Sequence, residues 1–294
     1  MASEKVRNMK KLANIGKGPA GIYAALYAVR GGEDVTIVAK DGGALAKADL
    51  IQNYYGFEEG ISAKELLDRG IRQAQNLGVR LIEDEICGIE FGTSGYIVKT
   101  TEHKLDAGAV IIACGISRNV PPIKNIEKFE GSGVSYCAIC DGFFFRGKKI
   151  AVIGSGKYAL SEYGVLKNII EDVMICTNGE TPQFDNSGIA IDQRKITVIA
   201  GENSVKEIVF SDGEHLPIDG IFVACGSAGA FELSKKLGLA MDGNKIAVDE
   251  KRATNIPGIY AAGDCIPGLQ QIAKAVYDGM LAGTESLKYL KALK

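Results

Sequence analysis

Residues 135–159 read SYCAICDGFFFRGKKIAVIGSGKYA, and this stretch decides the fold of the chain. Two residues separate Cys137 from Cys140, a spacing that lets both sulfurs sit on one turn, where they can form a disulfide or share a metal. Asp141 follows directly and is an acid placed to move a proton. An apolar strand then runs into a glycine turn at 154–156, which is typical of the strand-to-helix turn of a dinucleotide-binding fold. The stretch therefore couples a dithiol to a nucleotide-binding type of fold.

The composition sets broad limits on the class of protein. The chain has 294 residues, which is enough for two domains that each bury a core, and its 37 glycines fit an α/β protein rich in tight turns. A formal net charge of −2 argues against nucleic acid as the main partner, because counterion release needs a cationic surface. No apolar run reaches the length of a bilayer span, and the N-terminus lacks the apolar core of a signal peptide. We therefore expect a cytoplasmic protein that does not contact a membrane.

The cysteines contain one close pair. The seven cysteines stand at positions 87, 114, 137, 140, 176, 225 and 265. A structural zinc site usually needs a second pair of ligands, and the only histidines, His103 and His215, do not supply one. The pattern therefore favours a redox-active dithiol over a metal site, and we expect no metal.

A second glycine turn lies near the N-terminus. It reads Gly16-Lys-Gly18-Pro-Ala-Gly21, and a helix-forming segment at 22–30 follows it. Glycines at these positions allow a sharp turn, close approach of a pyrophosphate to the backbone, and tight helix packing. The helix N-terminus adds N–H groups and the positive end of the helix dipole. The segment therefore predicts a second dinucleotide turn.

An acidic residue follows the next predicted strand, at 34–39. In a dinucleotide-binding fold, an acid at the end of this strand normally binds a ribose. Asp41 stands close to that position and just before Gly42 and Gly43. It either contacts a ribose or serves as a turn aspartate.

The pattern of strands indicates an internal repeat. The apolar strands at 109–114 and 220–225 each end at a glycine. Each of the two glycine turns likewise follows a predicted strand and precedes a predicted helix. The chain thus contains two similar units, and alternation of strands and helices predicts an α/β fold.

The last section reads NIPGIYAAGDCIPGLQQ at 255–271 and leads into a helix. One face of this helix is apolar and closely packed, and it consists of Ile272, Ala275, Val276, Gly279, Met280 and Gly283. The face fits a core helix. Alternatively, the N-terminus of the helix points at a cofactor and stabilises negative charge on it.

Taken in order, four motifs resemble the low-molecular-weight thioredoxin reductase family over nearly the whole chain. They are the two glycine turns, Cys-Ala-Ile-Cys-Asp-Gly at 137–142 and Ala-Gly-Asp at 262–264. The resemblance implies an α/β fold of two Rossmann-like, three-layer ββα domains, the second inserted into the first. It places a discontinuous FAD-binding domain at 1–117 and 244–294, and a pyridine-nucleotide-type domain with the dithiol at 118–243. FAD as cofactor and a homodimer are further implications.

The resemblance also assigns the cofactor contacts. The implied cofactor-binding residues are Gly16, Gly18, Pro19, Ala20, Gly21, Asp41, Gly263, Asp264, Gln271 and Ile272. In this assignment the first glycine turn is the FAD pyrophosphate loop, and Asp264 contacts the ribityl or phosphate part. Gln271 and Ile272 meet the flavin ring. The family has an arginine where Gln270 stands.

The implied catalytic residues are Cys137, Cys140 and Asp141. In the family pattern, Cys140 corresponds to the cysteine that faces the flavin, and Cys137 to the one that attacks the protein substrate. Asp141 corresponds to the acid that relays the proton. The implied partner is thioredoxin.

The second nucleotide domain departs from the family pattern of NADPH-dependent members. Those members carry a His-Arg-Arg motif and a further arginine for the 2′-phosphate, whereas no basic residue stands between Asn168 and Gln193 here. A 2′-phosphate needs charge-assisted partners, and arginine is favoured for this role. Lys157 and the bulky Tyr158 occupy the glycine turn, and Glu180 remains a candidate for ribose hydroxyls of NAD. This pattern is similar to that of the ferredoxin-dependent flavin thioredoxin reductases.

Three functions are consistent with the sequence. The leading hypothesis is a flavoprotein disulfide reductase that takes electrons from reduced ferredoxin and passes them through FAD and the Cys137–Cys140 disulfide to thioredoxin. The second is an NAD(P)H-dependent thioredoxin reductase with an atypical nucleotide site. The third is a flavin-dithiol redox sensor, in which the dithiol acts as a switch and Asp141 has no required role.

Overall fold

The computed structural model describes residues 11–115, 120–225 and 229–293, without the side chains of Lys47, Cys140 and Phe231. The chain forms two compact units. The first unit is discontinuous and comprises Met1–Arg118 and Gly229–Lys294. The second comprises Asn119–Ala228.

The helices and strands of the described residues are as follows. The α-helices are α1 (Pro19–Arg30), α2 (Ala63–Asn76), α3 (Ala138–Asp141), α4 (Lys157–Lys167), α5 (Ala230–Leu237) and α6 (Ile272–Ala292). Short 3-10 helices lie at Leu45–Lys47, Glu127–Phe129, Gly142–Phe145 and Gly263–Cys265. The strands are β1 (Lys11–Ile15), β2 (Asp34–Val38), β3 (Leu50–Ile51), β4 (Ile61–Ser62), β5 (Arg80–Ile82), β6 (Ile86–Gly92), β7 (Gly95–Thr100), β8 (Lys104–Ala107), β9 (Ala109–Ile112), β10 (Val134–Ser135), β11 (Ile150–Ile153), β12 (Val173–Cys176), β13 (Ile191–Asp192), β14 (Ile196–Ala200), β15 (Glu207–Phe210), β16 (His215–Pro217), β17 (Gly220–Val223), β18 (Met241–Asp242), β19 (Lys245–Ile246) and β20 (Ile259–Ala261).

The first unit is built on a parallel sheet with the strand order β20-β9-β1-β2-β5. Every residue of β9 is buried, as expected for a parallel strand that is covered on both faces. Strands β6, β7 and β8 form a separate antiparallel sheet. This unit therefore has the layered plan of a Rossmann-like domain with an added three-stranded sheet.

Helices α1 and α6 pack closely in the first unit because α6 presents glycines to the backbone of α1. A Cβ added to Gly279 would lie 2.2 Å from Ala20 O, and one added to Gly283 would lie 2.4 Å from Ala24 O. Both distances are too short for any side chain. The predicted close-packing face of the last helix is confirmed, and it joins the first glycine turn to the C-terminal segment.

The second unit repeats this plan. Its parallel sheet has the order β10-β17-β11-β12-β13, and β14, β15 and β16 form an antiparallel sheet. A core of aliphatic side chains with Phe129 and Phe210 fills it. The predicted α/β fold with two Rossmann-like units is confirmed.

The compact units and the predicted domains differ at one boundary. The second domain is predicted to reach residue 243, whereas the second compact unit ends at Ala228. Helix α5 belongs to the first unit, where Lys236 Nζ on α5 donates to Cys87 O at 3.1 Å. The other predicted boundary, at residues 117 and 118, lies outside the described residues. The assignment of FAD and nucleotide binding to the two domains stays a prediction.

Asp84 ties the loop before β6 to the β7–β8 turn through a buried carboxylate. It accepts hydrogen bonds from the hydroxyls of Thr100 and Thr101 and from Glu102 N at 3.1 Å, and it lies 2.9 Å from His103 Nδ1. Burial alone would raise the pKa of Asp84, but these hydrogen bonds and one from Glu85 N lower it to about 2.

We expect Asp84 to make the stability of the protein depend on pH in the acid range. Because its folded-state pKa is below the ordinary value, its contribution of about 2 kcal/mol is present above pH 4 and is lost as the pH falls towards 2. Asp84→Asn should remove that contribution at pH 7 and flatten the acid limb of a plot of unfolding midpoint against pH. Urea unfolding followed by circular dichroism measures both, with the exposed Asp34→Asn as control. Equal midpoints for Asp84→Asn and the wild type at pH 7 would contradict this role.

Candidate functional site

The dithiol segment begins where strand β10 ends in the second unit. Cys137 is 3% exposed and forms a disulfide. The backbone of Cys140 lies in α3, and its side chain is outside the described part of the structure. Cys87, Cys114, Cys176, Cys225 and Cys265 are not disulfide-bonded.

Burial makes most of these five thiols poor nucleophiles. It raises the pKa of Cys176, Cys225 and Cys265 to about 12, and it raises that of Cys114 well above the ordinary value. Since the thiolate is the reactive form, these groups are almost fully protonated at neutral pH. These four thiols therefore exchange with disulfides far more slowly than an ionised thiol would at neutral pH.

Ser135 holds the backbone and the acid of the dithiol segment together. Its hydroxyl accepts a hydrogen bond from Cys137 N at 3.1 Å and donates one to Asp141 Oδ2 at 2.6 Å. Asp141 N also donates to Cys137 O at 3.1 Å. The predicted acid is thus fixed beside the first cysteine. Ser135 was not predicted as a site residue, although it stands two positions before that cysteine.

A second carboxylate contacts the dithiol segment and was also missed by the sequence analysis. Glu162 on α4 is 3% exposed, and its Oε2 accepts a hydrogen bond from Ala138 N at 3.0 Å. Ala138 lies between the two cysteines. No motif connects these positions, because 24 residues separate them and the contact forms only when α4 packs on α3.

The first glycine turn has the geometry of an anion-binding loop. Gly16 has a φ of +112°, and a Cβ there would lie 2.3 Å from Ala113 O. A Cβ on Gly21 would lie 2.0 Å from Gly16 O, whereas one on Gly18 would meet nothing within 4 Å. Helix α1 starts at Pro19 with Gly18 as an N-cap that provides no side-chain hydrogen bond. The open space at Gly18 and the uncapped helix start suit a bound phosphate.

Two charged residues border this turn. Lys17, inside the turn, has a buried side chain and forms an ion pair with Glu83, with Nζ 2.6 Å from Oε1. This lysine was not predicted as a site residue. Asp41 accepts a hydrogen bond from Gly43 N at 2.8 Å, which is the geometry of a turn aspartate. Its contact with a ribose stays a prediction.

The C-terminal motif lies against the first glycine turn. A Cβ on Gly263 would lie 2.8 Å from Ala20 Cβ, which shows how closely these two predicted site residues approach. Asp278, fully buried on α6, accepts a hydrogen bond from Gly263 N at 3.2 Å. Asp278 is itself paired with Arg252 and Lys274, each at 2.8 Å. This buried ion cluster fixes the Gly263–Asp264 turn.

The remaining predicted cofactor contacts also lie at this end of the first unit. Partial burial raises the pKa of Asp264, although the charges of Lys274 and Lys245 oppose the rise. Gln271 is the N-cap residue of α6, and its Oε1 accepts a hydrogen bond from Asn53 at 3.1 Å. Ile272 packs against the small cluster of Leu45, Ala63 and Leu67.

The residues of the first unit fit FAD. The space beside Gly18 is open, because a Cβ there would meet nothing within 4 Å. The uncapped start of α1 offers N–H groups to a pyrophosphate. Asp264 and the start of α6 stand on the same side of the fold as this turn, because Gly263 packs on Ala20. Contacts of individual residues with FAD stay predictions.

The second glycine turn repeats this backbone, but it is hydrogen-bonded to the loop after β12. A Cβ on Gly154 would lie 2.3 Å from Ala224 O, matching the first turn. Here, however, Ser155 Oγ donates to Glu180 Oε2, and Ser155 O accepts from Gln183 N at 2.8 Å. Tyr158 is 1% exposed in the first turn of α4. The loop after β12 therefore contacts the second glycine turn through the carboxylate of Glu180 and the backbone of Gln183.

The first arginine after this loop is already paired. Arg194 Nη2 lies 2.6 Å from Asp192 Oδ2, and Nη1 lies 3.5 Å from Asp212 Oδ2. Its guanidinium also stacks over Phe210 at 3.9 Å from the ring centroid. The guanidinium therefore already has two carboxylate partners.

Comparison with known proteins identifies the family. A model described as "Pyridine nucleotide-disulphide oxidoreductase" matches residues 10–279. The chain belongs to this family. It is 31% identical to a thioredoxin reductase from Listeria monocytogenes over 315 aligned positions, which cover 100% of the chain and 97% of the relative. Members of the family are FAD flavoproteins, and the chain is a flavoprotein disulfide reductase of the thioredoxin reductase type.

Two solved structures of this family are similar over nearly their full lengths. The atypical thioredoxin reductase TRi from Desulfovibrio vulgaris Hildenborough is 38% identical, with 96% of this chain and 98% of that chain covered and a TM-score of 0.89. A ferredoxin-flavin thioredoxin reductase from Clostridium acetobutylicum is 29% identical, with the same coverage and a TM-score of 0.72. The resemblance to thioredoxin reductases is therefore confirmed.

Two further searches concern the described residues alone. None of the helices there combines the length and apolarity that a membrane span requires. The same residues contain no group of three or more His, Cys, Asp and Glu side chains arranged to hold a metal ion.

Proposed function

We propose that this protein reduces thioredoxin with electrons from reduced ferredoxin, through FAD and the Cys137–Cys140 disulfide. The proposal includes a cytoplasmic location and a homodimeric assembly. One observation carries the choice of donor, namely the Ser155–Glu180 hydrogen bond across the second glycine turn. A carboxylate at that position repels a pyrophosphate, and no lysine or arginine between residues 168 and 193 offsets its charge.

The similarity to a named ferredoxin-flavin thioredoxin reductase supports this donor. The energetics are also favourable. A ferredoxin near −400 mV and a thioredoxin near −270 mV differ by roughly 130 mV, which is about 6 kcal/mol for two electrons. Bound FAD supplies the needed conversion, because flavin exchanges electrons singly or in pairs. A nicotinamide nucleotide is not required thermodynamically.

The residues of the dithiol segment then perform the transfer to thioredoxin. Reduction of the disulfide takes two electrons and two protons and leaves thiols at Cys137 and Cys140. Cys137 attacks the disulfide of thioredoxin as a thiolate and forms a mixed disulfide, and Cys140 attacks Cys137 and releases reduced thioredoxin. Asp141, held by Ser135, gives and receives the proton that accompanies these steps.

The runner-up functions are distinguished by what the second unit binds. An NAD(P)H-dependent reductase requires a nucleotide at the second glycine turn. A flavin-dithiol sensor requires no turnover with thioredoxin. Both would retain the FAD-binding first unit.

We expect the protein to bind neither NADPH nor NADH measurably. Titration calorimetry of the holoprotein with up to millimolar NADPH should show no binding heat, because the Glu180 carboxylate beside Ser155 would repel the phosphates. Glu180→Ala removes the carboxylate and serves as the matched variant, in which weak binding would indicate that this residue closes the site. Micromolar binding of NADPH to the wild type would overturn the proposed donor and favour the runner-up reductase.

A further inference from the structure

Glu162 is a buried acid that contacts the dithiol segment. Its carboxylate accepts the N–H of Ala138, the residue that follows Cys137. Ser135 accepts the N–H of Cys137 itself. Two consecutive backbone donors of the segment are therefore bonded to side-chain oxygens.

This arrangement affects the oxidised and reduced forms of the pair differently. A disulfide carries no charge, whereas the reduced pair ionises to a thiolate. N–H donors stabilise a thiolate, and a nearby negative charge destabilises it. Glu162 places a carboxylate against the dithiol segment in a buried environment, and a negative charge there disfavours a thiolate.

We propose that Glu162 is a positioning residue that anchors the dithiol segment through Ala138 and whose negative charge makes the reduced dithiol less ionised and more strongly reducing. The charge raises the free energy of the reduced form and leaves that of the disulfide nearly unchanged. A more reducing dithiol passes its electrons to a low-potential protein disulfide more completely. The proposal rests on the dithiol of the proposed function but not on ferredoxin as the donor.

The other charged groups on the packed elements are few. Helix α3 carries Asp141, which is bonded to Ser135. Helix α4 carries Lys157 and Lys167 besides Glu162, and both lysines are exposed to solvent. Lys167 donates to Glu171 O at the end of that helix.

The test compares the wild type with Glu162→Gln and Glu162→Ala. Glutamine keeps an oxygen for the Ala138 N–H and removes the charge, whereas alanine removes both. The exposed Glu171→Gln serves as the control for a change of net charge. The holoprotein is equilibrated in dithiothreitol buffers of defined ratio at pH 8, acid-quenched, alkylated and scored by mass, so neither ferredoxin nor thioredoxin takes part. In the exchange, dithiothreitol loses two electrons and two protons and becomes the cyclic disulfide, and the protein disulfide becomes two thiols.

We expect the equilibrium constant for reduction of the disulfide to rise about tenfold in Glu162→Gln, which corresponds to a potential about 30 mV more positive. Iodoacetamide should alkylate the reduced variant several-fold faster than the wild type at pH 7. This difference should vanish at high pH, where the attacking thiol is ionised in both proteins. Glu162→Ala should shift the constant in the same direction, and Glu171→Gln should not shift it.

A purely structural role for Glu162 predicts a different result. Values for Glu162→Gln within twofold of the wild type, for both the equilibrium constant and alkylation at pH 7, would overturn the proposal. A shift in Glu162→Ala alone would also overturn it, because hydrogen bonding and not charge would then be responsible. Either outcome leaves the assignment of the donor untouched, since ferredoxin is absent from the test.

Discussion

Replacement of Cys140 by serine is expected to abolish thioredoxin reduction while the donor still reduces the bound flavin. Serine cannot form the disulfide that stores the two electrons, nor can it resolve a mixed disulfide with thioredoxin. We expect kcat for thioredoxin reduction to fall by at least about 10³-fold, a loss typical of removing a group that makes a covalent intermediate. The measurement pairs stopped-flow flavin bleaching with a thioredoxin-coupled assay on the same sample.

Two variants make this result specific. Cys137→Ser should be equally inactive, because it lacks the cysteine that attacks thioredoxin. It retains Cys140, the cysteine assigned to face the flavin. Cys265→Ser removes a buried free thiol whose pKa is raised to about 12, and it should keep full activity if it folds. Loss of flavin bleaching in Cys140→Ser would contradict the order of electron transfer, and turnover by Cys137→Ser would contradict the roles of the two cysteines.

Gly16→Ala is expected to destabilise the first unit severely. The residue has a φ of +112°, which costs a non-glycine residue roughly 1–3 kcal/mol, and the new Cβ would lie 2.3 Å from Ala113 O. Overpacking against backbone adds about 1–3 kcal/mol more. The expected loss in the free energy of unfolding is therefore about 2–6 kcal/mol, measured on the apoprotein by urea unfolding.

Gly18→Ala is the matched control for that prediction. Its φ is −73°, and a Cβ there would meet nothing within 4 Å, so the apoprotein should lose at most about 1 kcal/mol. The same methyl group would occupy the space where a pyrophosphate approaches the backbone. We expect FAD affinity to fall at least tenfold. Unchanged FAD affinity in Gly18→Ala would contradict the placement of the pyrophosphate at this turn.

The sequence predicts most of the fold because the governing features are local. Both glycine turns, the apolar strands before them and the close-packing face of α6 are visible as short patterns, and the structure has them at Gly16, Gly154 and Gly279. The first strand is less apolar than usual, yet β1 forms, because β2 and β9 pair with it on both sides. Tertiary pairing there outweighs a weak local preference.

The parts of the site that the sequence does not predict depend on contacts between distant residues. Glu162 reaches Ala138 only after α4 packs on α3, and Asp278 reaches Gly263 only after α6 packs behind the C-terminal turn. The second nucleotide site looks incomplete in sequence because arginines for a 2′-phosphate are absent. The Ser155–Glu180 hydrogen bond is not visible in sequence, because it depends on the path of the loop after β12.

The most direct test of the proposed function is the anaerobic visible spectrum of the purified flavoprotein, recorded after successive additions of NADPH, NADH and reduced ferredoxin. Oxidised ferredoxin, added without any reductant, serves as the blank. We predict that the flavin absorbance persists with both nucleotides and bleaches rapidly with reduced ferredoxin. Rapid bleaching by NADPH or NADH would contradict a closed second nucleotide site and would make the protein a pyridine-nucleotide-dependent thioredoxin reductase.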